Sequence, residues 1–400
     1  MPFLGLRPER VPESSTEVAG IGAAFRDAIK RVLPAEVRGN DRFTAHLEYE
    51  VIGGRGPMRV LRFAKLSGET PPLTGEPILF VYSLINRYYI LDFMPKRSVI
   101  EYFIEQGRPC YVIDWGIPGR ADRHKTWADY ALRYIDYAAK LLHLREGMGE
   151  HFRPADFSWD RVARLPAQCI NLLGYCVGGV LSLTYAALHP ERVKTLTLMA
   201  TPVDFYDEGL LSQWTRSERF DVDQIVNTFG HVPTWLLEGG FRMMTPMTHF
   251  TKWRDLWEGR RREGFIEMWR RMEQWSSDNV PFPAEVYRQY IRDTYQTNAF
   301  FKGEMIVEGQ IVDLSRVQCP VLSLIATRDH IVPPESALAL QTLLTQEQLT
   351  ILECETGHLG LSTSGKARSV FWPKIQNWLD EHASTAEDLI QSDTHSGATE

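Results

Sequence analysis

The chain has 400 residues, 44% of them hydrophobic and 24% charged, enough to bury one large core that is elaborated or carries a cap. Its net charge of −7 excludes a general attraction to nucleic acid or to acidic membranes. Five irregularly spaced cysteines exclude a disulfide framework; with no apolar h-region at the N-terminus, they point to a reducing cytoplasm where a free thiol stays usable.

Residues 1–40 read as an N-terminal extension, loosely ordered through Ser15 and then able to form one amphipathic helix over 16–33. The first strand signal is PILFVY over 77–82, followed by a loop from Ser83 to Arg87. Residues 98–106 read as a helix, 110–115 as a strand, and 127–144 carry apolar residues at helical spacing. The stretch 167–188 is nearly uncharged and long enough to resemble a membrane span. Its glycines, and its change from β-like to α-like character, suit a strand, a tight turn and a helix instead. Another strand is expected over 193–199, and two more over 321–326 and 349–354. Strands alternating with helices predict an α/β fold: a mostly parallel sheet with helices on both faces. The alternation stops from about Asp204 to Phe301, a segment rich in Trp, Arg and Met. It is expected to form a helical lid, with Trp214, Trp235, Trp253, Trp257, Trp269 and Trp275 in the lid's own core rather than in contact with substrate. The expected organisation is therefore 41–204 and 302–382 as the two parts of the α/β core, 205–301 as the lid or cap insertion, and 383–400 as a flexible tail.

The most specific motif is Gly174-Tyr175-Cys176-Val177-Gly178-Gly179, between a predicted strand and a predicted helix. It has the pattern of a nucleophile elbow, G-x-nucleophile-x-G, with Cys where Ser is usual. A thiol lifted to a helix N-terminus is favoured as thiolate. A buried structural Cys would explain neither the glycines nor what lies downstream. A nucleophile needs a base, and the base an orienting acid. Asp329 follows one predicted strand and His358 the next, giving the nucleophile–acid–His order of α/β hydrolases. Taken singly, Asp329 is a turn or cap residue ahead of Pro333 and Pro334, and His358 is a loop histidine; with the elbow they form a set. His330, adjacent in sequence to Asp329, is a poorer base because neighbouring loop residues seldom face each other, and it is expected to line the site. The oxyanion donors expected are the backbone N–H of Val177 and an N–H from the loop after residues 77–82, with Leu84 preferred and Ile85 next.

Arg260-Arg261-Arg262, with Lys252, Arg254, Arg270 and Arg271 nearby, could gather a phosphate-bearing substrate. The interleaved Asp255, Glu258, Glu263, Glu267 and Glu273 favour a solvated, salt-bridged helix face. Cys in place of Ser suits acyl transfer from a thioester, because exchange of one thioester for another keeps the acyl group activated. Exclusion of water then decides whether an alcohol or water accepts it.

Several segments together resemble the polyhydroxyalkanoate (poly-3-hydroxybutyrate) synthases over about residues 79–379. They are Leu84-Ile85-Asn86-Arg87, Ile113-Asp114-Trp115-Gly116, the Cys176 elbow, Thr201-Pro202-Val203-Asp204-Phe205, Asp329-His330-Ile331-Val332-Pro333-Pro334 and Gly357-His358-Leu359-Gly360. In length the chain is similar to the short catalytic subunits of the class III type. Tyr175 and Val177 look more like the elbow of the long single-subunit synthases, of whose large extra N-terminal domain the chain carries no counterpart. The resemblance implies an acyltransferase that polymerises short (R)-3-hydroxyacyl-CoA into polyester with release of CoA. Cys176 would take the acyl group, His358 would act as base, and Asp329 would orient His358 or help activate the 3-hydroxyl. It implies no metal or bound cofactor. It also implies a growing polyester chain, a homo-oligomer or a second non-catalytic subunit, and a cytoplasmic location at polyester granules. The alternative reading is a Cys-dependent hydrolase of the dienelactone hydrolase kind, which shares a G-Y-C-x-G-G elbow; the long lid and the Asp329–Pro334 stretch oppose it. A granule scaffold without activity is opposed by the intact Cys, Asp and His set.

Overall fold

The computed structural model describes residues 44–217, 219–244, 257–259 and 261–383. The expected N-terminal extension and the tail beyond Ala383 lie outside the described residues, as do Lys252, Trp253, Arg254, Asp255 and Arg260. The chain divides into two units, residues 44–250 with 275–400, and residues 1–43 with 251–274. In the described part of the smaller unit, Arg271 and Glu267 form an ion pair of 3.0 Å one helical turn apart.

The larger unit is organised by an eight-stranded sheet, formed by β1 (Glu50–Arg55), β2 (Met58–Phe63), β3 (Ile78–Val81), β4 (Cys110–Asp114), β5 (Ile170–Tyr175), β6 (Val193–Met199), β9 (Val321–Ala326) and β10 (Leu349–Cys354). Its order is β1-β2-β4-β3-β5-β6-β9-β10. The six strands from β4 to β10 in that order are mutually parallel, whereas β1 and β2 form an antiparallel hairpin on one edge. Residues of β3, β4, β5 and β9 are buried throughout, as uninterrupted apolar runs must be when helices cover both faces. The β1–β2 hairpin carries no comparable signal. Its second strand reads MRVLRF, and its first contains two glycines and a register shift between Val51 and Gly53. The edge strand β1 need not be apolar on both faces, and two arginines interrupt the apolar pattern of β2, so the signal is weak.

Helix α1 (Val99–Glu105) begins where Ser98 Oγ accepts the Glu101 N–H at 2.9 Å, the N-cap that a serine at this place supplies. Helix α2 (Ile135–Met148) follows a wider turn at Asp129–Tyr134. The uncharged stretch 167–188 is β5 followed by α3 (Val177–Leu188), whose 12 residues are all buried. No described helix is long and apolar enough to cross a membrane.

Between β6 and β9 the described chain is mainly helical: α4 (Leu210–Thr215), α5 (Val222–Phe229), α6 (Thr234–Met244), α7 (Phe265–Ser277) and α8 (Ala284–Tyr290). A small hairpin of β7 (Ile306–Val307) and β8 (Gln310–Ile311) follows. The tryptophans here depart in part from expectation. Trp275 is buried, but Trp214 is 41% and Trp235 60% exposed. Trp214 packs edge-on against Phe220 and Trp235 edge-on against Phe229, and Trp214, Phe220 and Phe229 all line a cavity. Trp214 and Phe229 line the cavity while meeting solvent on one side, Phe220 is buried, and Trp257 is 63% exposed against the expectation. Helix α9 (Trp372–Glu381) closes the described chain, with Trp372 Nε1 donating to Leu361 O at 2.9 Å.

Candidate active site

Cys176 stands between the last residue of β5 and the first of α3, with φ 55° and ψ −124°. A non-glycine residue at such angles is strained and persists only where its surroundings over-determine it. Here its N–H donates to Met199 O on β6 at 3.0 Å, and its carbonyl accepts the Gly179 N–H at 2.9 Å. The glycines serve by clearance rather than by unusual angles. A Cβ on Gly178 would lie 2.0 Å from Val81 O, and one on Gly179 would lie 1.9 Å from Thr201 Oγ1. Only hydrogen at both positions lets α3 start this close to β3 and to the Thr201 turn.

Asp329 and His358 follow β9 and β10, adjacent parallel strands in matched register from Leu349↔Val321 to Cys354↔Ala326. Their loops are tied by Arg328 N–H donating to Thr356 O at 3.0 Å and Thr327 N–H donating to Cys354 O at 2.9 Å. The Asp329 carboxylate is wholly buried and fully engaged. Its Oδ1 accepts the N–H groups of Ile331 and Val332 at 2.8 and 3.0 Å, and its Oδ2 accepts His358 Nδ1–H at 2.6 Å. This leaves His358 Nε2 for the thiol, and His358 and Cys176 share a side-chain hydrogen bond. Burial lowers the proton affinity of His358. Negative charge on Cys176 and the hydrogen bonds to Asp329 and Cys176 outweigh it, and the ring is pushed up to about 10.

Sequence reasoning missed the group that holds His358 from below. Tyr175 OH donates to His358 O at 2.8 Å, and its ring stacks on the imidazole at 5.4 Å and 17°. The tyrosine was visible in the elbow, but only as a mark of subclass. Its contact links residues 183 apart in sequence, which no local pattern reports.

A cavity of about 340 Å³ opens from Cys176 and Val177, walled by Pro202, Ile225, Leu236, Leu237, Phe282, Tyr290, Tyr295, Ile331 and Val332, among others. Its lining is largely apolar, with two buried phenols, Tyr290 and Tyr295, within the field of the thiol. Burial and neighbouring negative charge, including that of Cys176, push both phenols up, so they stay protonated hydrogen-bond donors. Neither was singled out from sequence, since each lies on an ordinary helical stretch.

Of the expected oxyanion and lining residues, His330 meets a different placement. Leu84 has its side chain buried in the core, and Ile85 is the residue of that loop that reaches the cavity. His330 is exposed and is not among the residues lining the cavity. The physical cause is the turn that Asp329 Oδ1 makes with the Ile331 and Val332 N–H groups, which brings Ile331 and Val332 to the cavity wall. Among the described residues, no group of three or more His, Cys, Asp or Glu side chains could hold a metal ion.

Strand order, elbow and the loops after β9 and β10 define the α/β hydrolase fold, with Cys176 at the turn from β5 into α3. A profile of the alpha/beta hydrolase fold matches residues 76–364. The poly(3-hydroxyalkanoate) polymerase subunit PhaC of Haloferax mediterranei is 38% identical over 347 residues, 85% of this chain and 67% of that protein. The subunit of the same name from Haloarcula marismortui is 38% identical over 315 residues, 78% of this chain and 62% of that one. That of Allochromatium vinosum is 37% identical over 316 residues, 78% and 82% of the two chains. The chain thus spans about two thirds of the length of the first two relatives and most of the third. It belongs to the poly(3-hydroxyalkanoate) polymerase family.

Proposed function

We propose that the chain polymerises short (R)-3-hydroxyacyl groups from their CoA thioesters into a polyester, through an acyl-enzyme on Cys176. The Cys176 thiolate attacks the thioester carbonyl, and the oxyanion is met by the Val177 N–H and a donor of the Leu84–Ile85 loop. The carbon–sulfur bond to CoA breaks, and the departing thiolate takes its proton from the His358 imidazolium. In the second half His358 accepts the proton of a 3-hydroxyl group as that oxygen attacks the Cys176 thioester. An ester forms and the Cys176 thiolate returns. Asp329 holds His358 in one tautomer and orientation throughout.

The electrostatics support the change of role. Burial works against a charged ring, and the negative charge on Cys176 does most to offset it and raise His358. Acylation removes that charge, so His358 loses proton affinity at the stage where it must act as a base.

The observation that carries the reading is the largely apolar cavity opening directly on the thiol. An acyl chain there displaces water from the thioester and favours an alcohol as acceptor. Residues 205–301 serve as the cap, of which residues between Leu211 and Phe241 and between Phe282 and Tyr295 wall the cavity, and residues 41–204 and 302–382 serve as the core. The family name "subunit" supports a partner chain, and a hydrophobic product supports work at a polymer surface.

The test is incubation of the protein and of Cys176→Ala with (R)-3-hydroxybutyryl-CoA, following CoA and the acyl group together. The expected result is Cys176-dependent CoA release with high-mass polyester. Release yielding only free 3-hydroxybutyrate would overturn it in favour of a hydrolase.

A further inference from the structure

The motif Leu84-Ile85-Asn86-Arg87 is only partly used by the chemistry above. Several of its other atoms bond one short stretch of chain, Trp275 to Phe282, that leads from α7 into α8, while the Ile85 N–H donates to Ser83 Oγ at 3.4 Å. Ile85 O accepts the Val280 N–H at 3.0 Å, and Arg87 O accepts Trp275 Nε1–H at 2.8 Å. Asn86 Nδ2 donates to Asn279 Oδ1. One turn further on, Tyr89 OH donates to Asp278 Oδ2 at 2.9 Å, and Arg87 Nε stands 4.0 Å from the same oxygen.

Asn279 also faces the other way. Its Nδ2 donates to Glu238 Oε1 on α6 at 3.1 Å. Glu238 sits between the cavity-lining residues Leu237 and Gly240. The stretch is further pinned to the start of α6 by the paired backbone bonds of Val232 and Phe282, each 2.9 Å. A chain of three side chains, Asn86–Asn279–Glu238, therefore runs from beside the expected oxyanion donor to the cavity wall.

We infer that Asn279 is a positioning residue for the oxyanion donor: through Asn86 it sets the loop that carries the Leu84 N–H relative to Cys176, and through Glu238 it ties that setting to the wall that contacts the acyl chain. The inference rests on the acyl-transfer reading above. A part-buried amide bonded on both sides is well suited to the task, because each partner limits the orientation of the other. A backbone donor displaced by a fraction of an ångström contributes less to the transition state while leaving the thiolate untouched.

That separation is the test. Alkylation of Cys176 by iodoacetamide needs the thiolate but no oxyanion donor, whereas acylation by (R)-3-hydroxybutyryl-CoA needs both. Asn279→Ala and Asn86→Ala cut the same bond from opposite ends. Each is expected to slow single-turnover acylation about tenfold or more, with alkylation within about twofold of the parent. The double variant should be no slower than Asn279→Ala alone, since that change already removes the Asn86–Asn279 bond. Acylation unchanged in both variants overturns the inference and leaves the acyl-transfer reading standing. Equal loss of acylation and alkylation in both also overturns it, because the bonds then hold the fold rather than the donor. A parent protein that alkylates at Cys176 but never acylates overturns the acyl-transfer reading, and this inference with it.

Discussion

The floor of the site and its wall are built on different principles. The floor consists of the loops after β5, β9 and β10, in which the polar atoms next to the chemistry are held by specific bonds. Cys176 N–H is on Met199 O, both Asp329 oxygens are engaged, and the His358 carbonyl is held by Tyr175. The wall consists mainly of apolar side chains from the helical stretch between β6 and β9, and its aromatic rim is partly exposed. Direction matters in the floor, since a hydrogen bond or an attacking sulfur tolerates only small errors. The wall works by area and exclusion of water, which many side-chain combinations provide. Substitutions should therefore be costly below the thiol and mild above it.

The sharpest break of that contrast is Asp329→Asn. It keeps the shape but lets the amide hold His358 in the wrong tautomer, and it should lower the rate of CoA release by about 10⁴-fold. Steady-state kinetics at saturating substrate reads this, and a loss below about tenfold would place the orienting acid elsewhere. Next comes Gly178→Ala, whose new methyl must displace Val81 O from 2.0 Å. It should destabilise the fold by about 1–3 kcal/mol and cost about 10²-fold in acylation by shifting the elbow. Urea unfolding paired with single-turnover acylation checks both, and unchanged values in both would mean that the elbow has room to yield.

A subtler probe is the titration of His358. Burial alone would lower its value; the negative charge of Cys176 beside it does most to push it up to about 10. Carbamidomethylation of Cys176 removes that charge and the shared hydrogen bond, so the proton affinity of His358 must fall. Between its ordinary value near 6.5 and about 10, the free protein then holds an imidazolium and the alkylated one an increasingly neutral ring. Ring ¹⁵N shifts followed against pH read the difference. Identical titrations would show that the charge of the thiolate does not control the base. The smallest expected effect is that of Trp214→Ala at the rim. With 41% of the residue exposed, its loss should raise KM by less than about tenfold and leave kcat nearly unchanged. A collapse of kcat instead would erase the distinction between wall and floor.

Much of the floor was legible in the linear chain because its signals are local. The strands Val193–Met199, Val321–Ala326 and Leu349–Cys354 fall where apolar runs bounded by turn residues predict them. The elbow announces itself because close approach of two backbones requires glycine at fixed offsets from the nucleophile. Asp329 and His358 were recognisable from their order after successive strands, since parallel neighbours in register bring such loop ends to one side of a sheet. The β1–β2 hairpin was not legible, because the edge strand β1 is under no pressure to be apolar on both faces and two arginines interrupt the apolar pattern of β2.

What only the tertiary structure decided is how distant residues share the site. Tyr175 beneath His358, Tyr290 and Tyr295 in the cavity, and Asn279 against Asn86 are contacts between segments roughly 100 to 200 residues apart. Each of these side chains is unremarkable in its own window. The turn that leaves His330 exposed and brings Ile331 and Val332 to the cavity likewise depends on where the Asp329 carboxylate finds its donors. Local chemistry names the groups proposed to react, because it constrains the backbone that carries them. Their orientation comes from packing, because an orienting partner can arrive from anywhere in the chain.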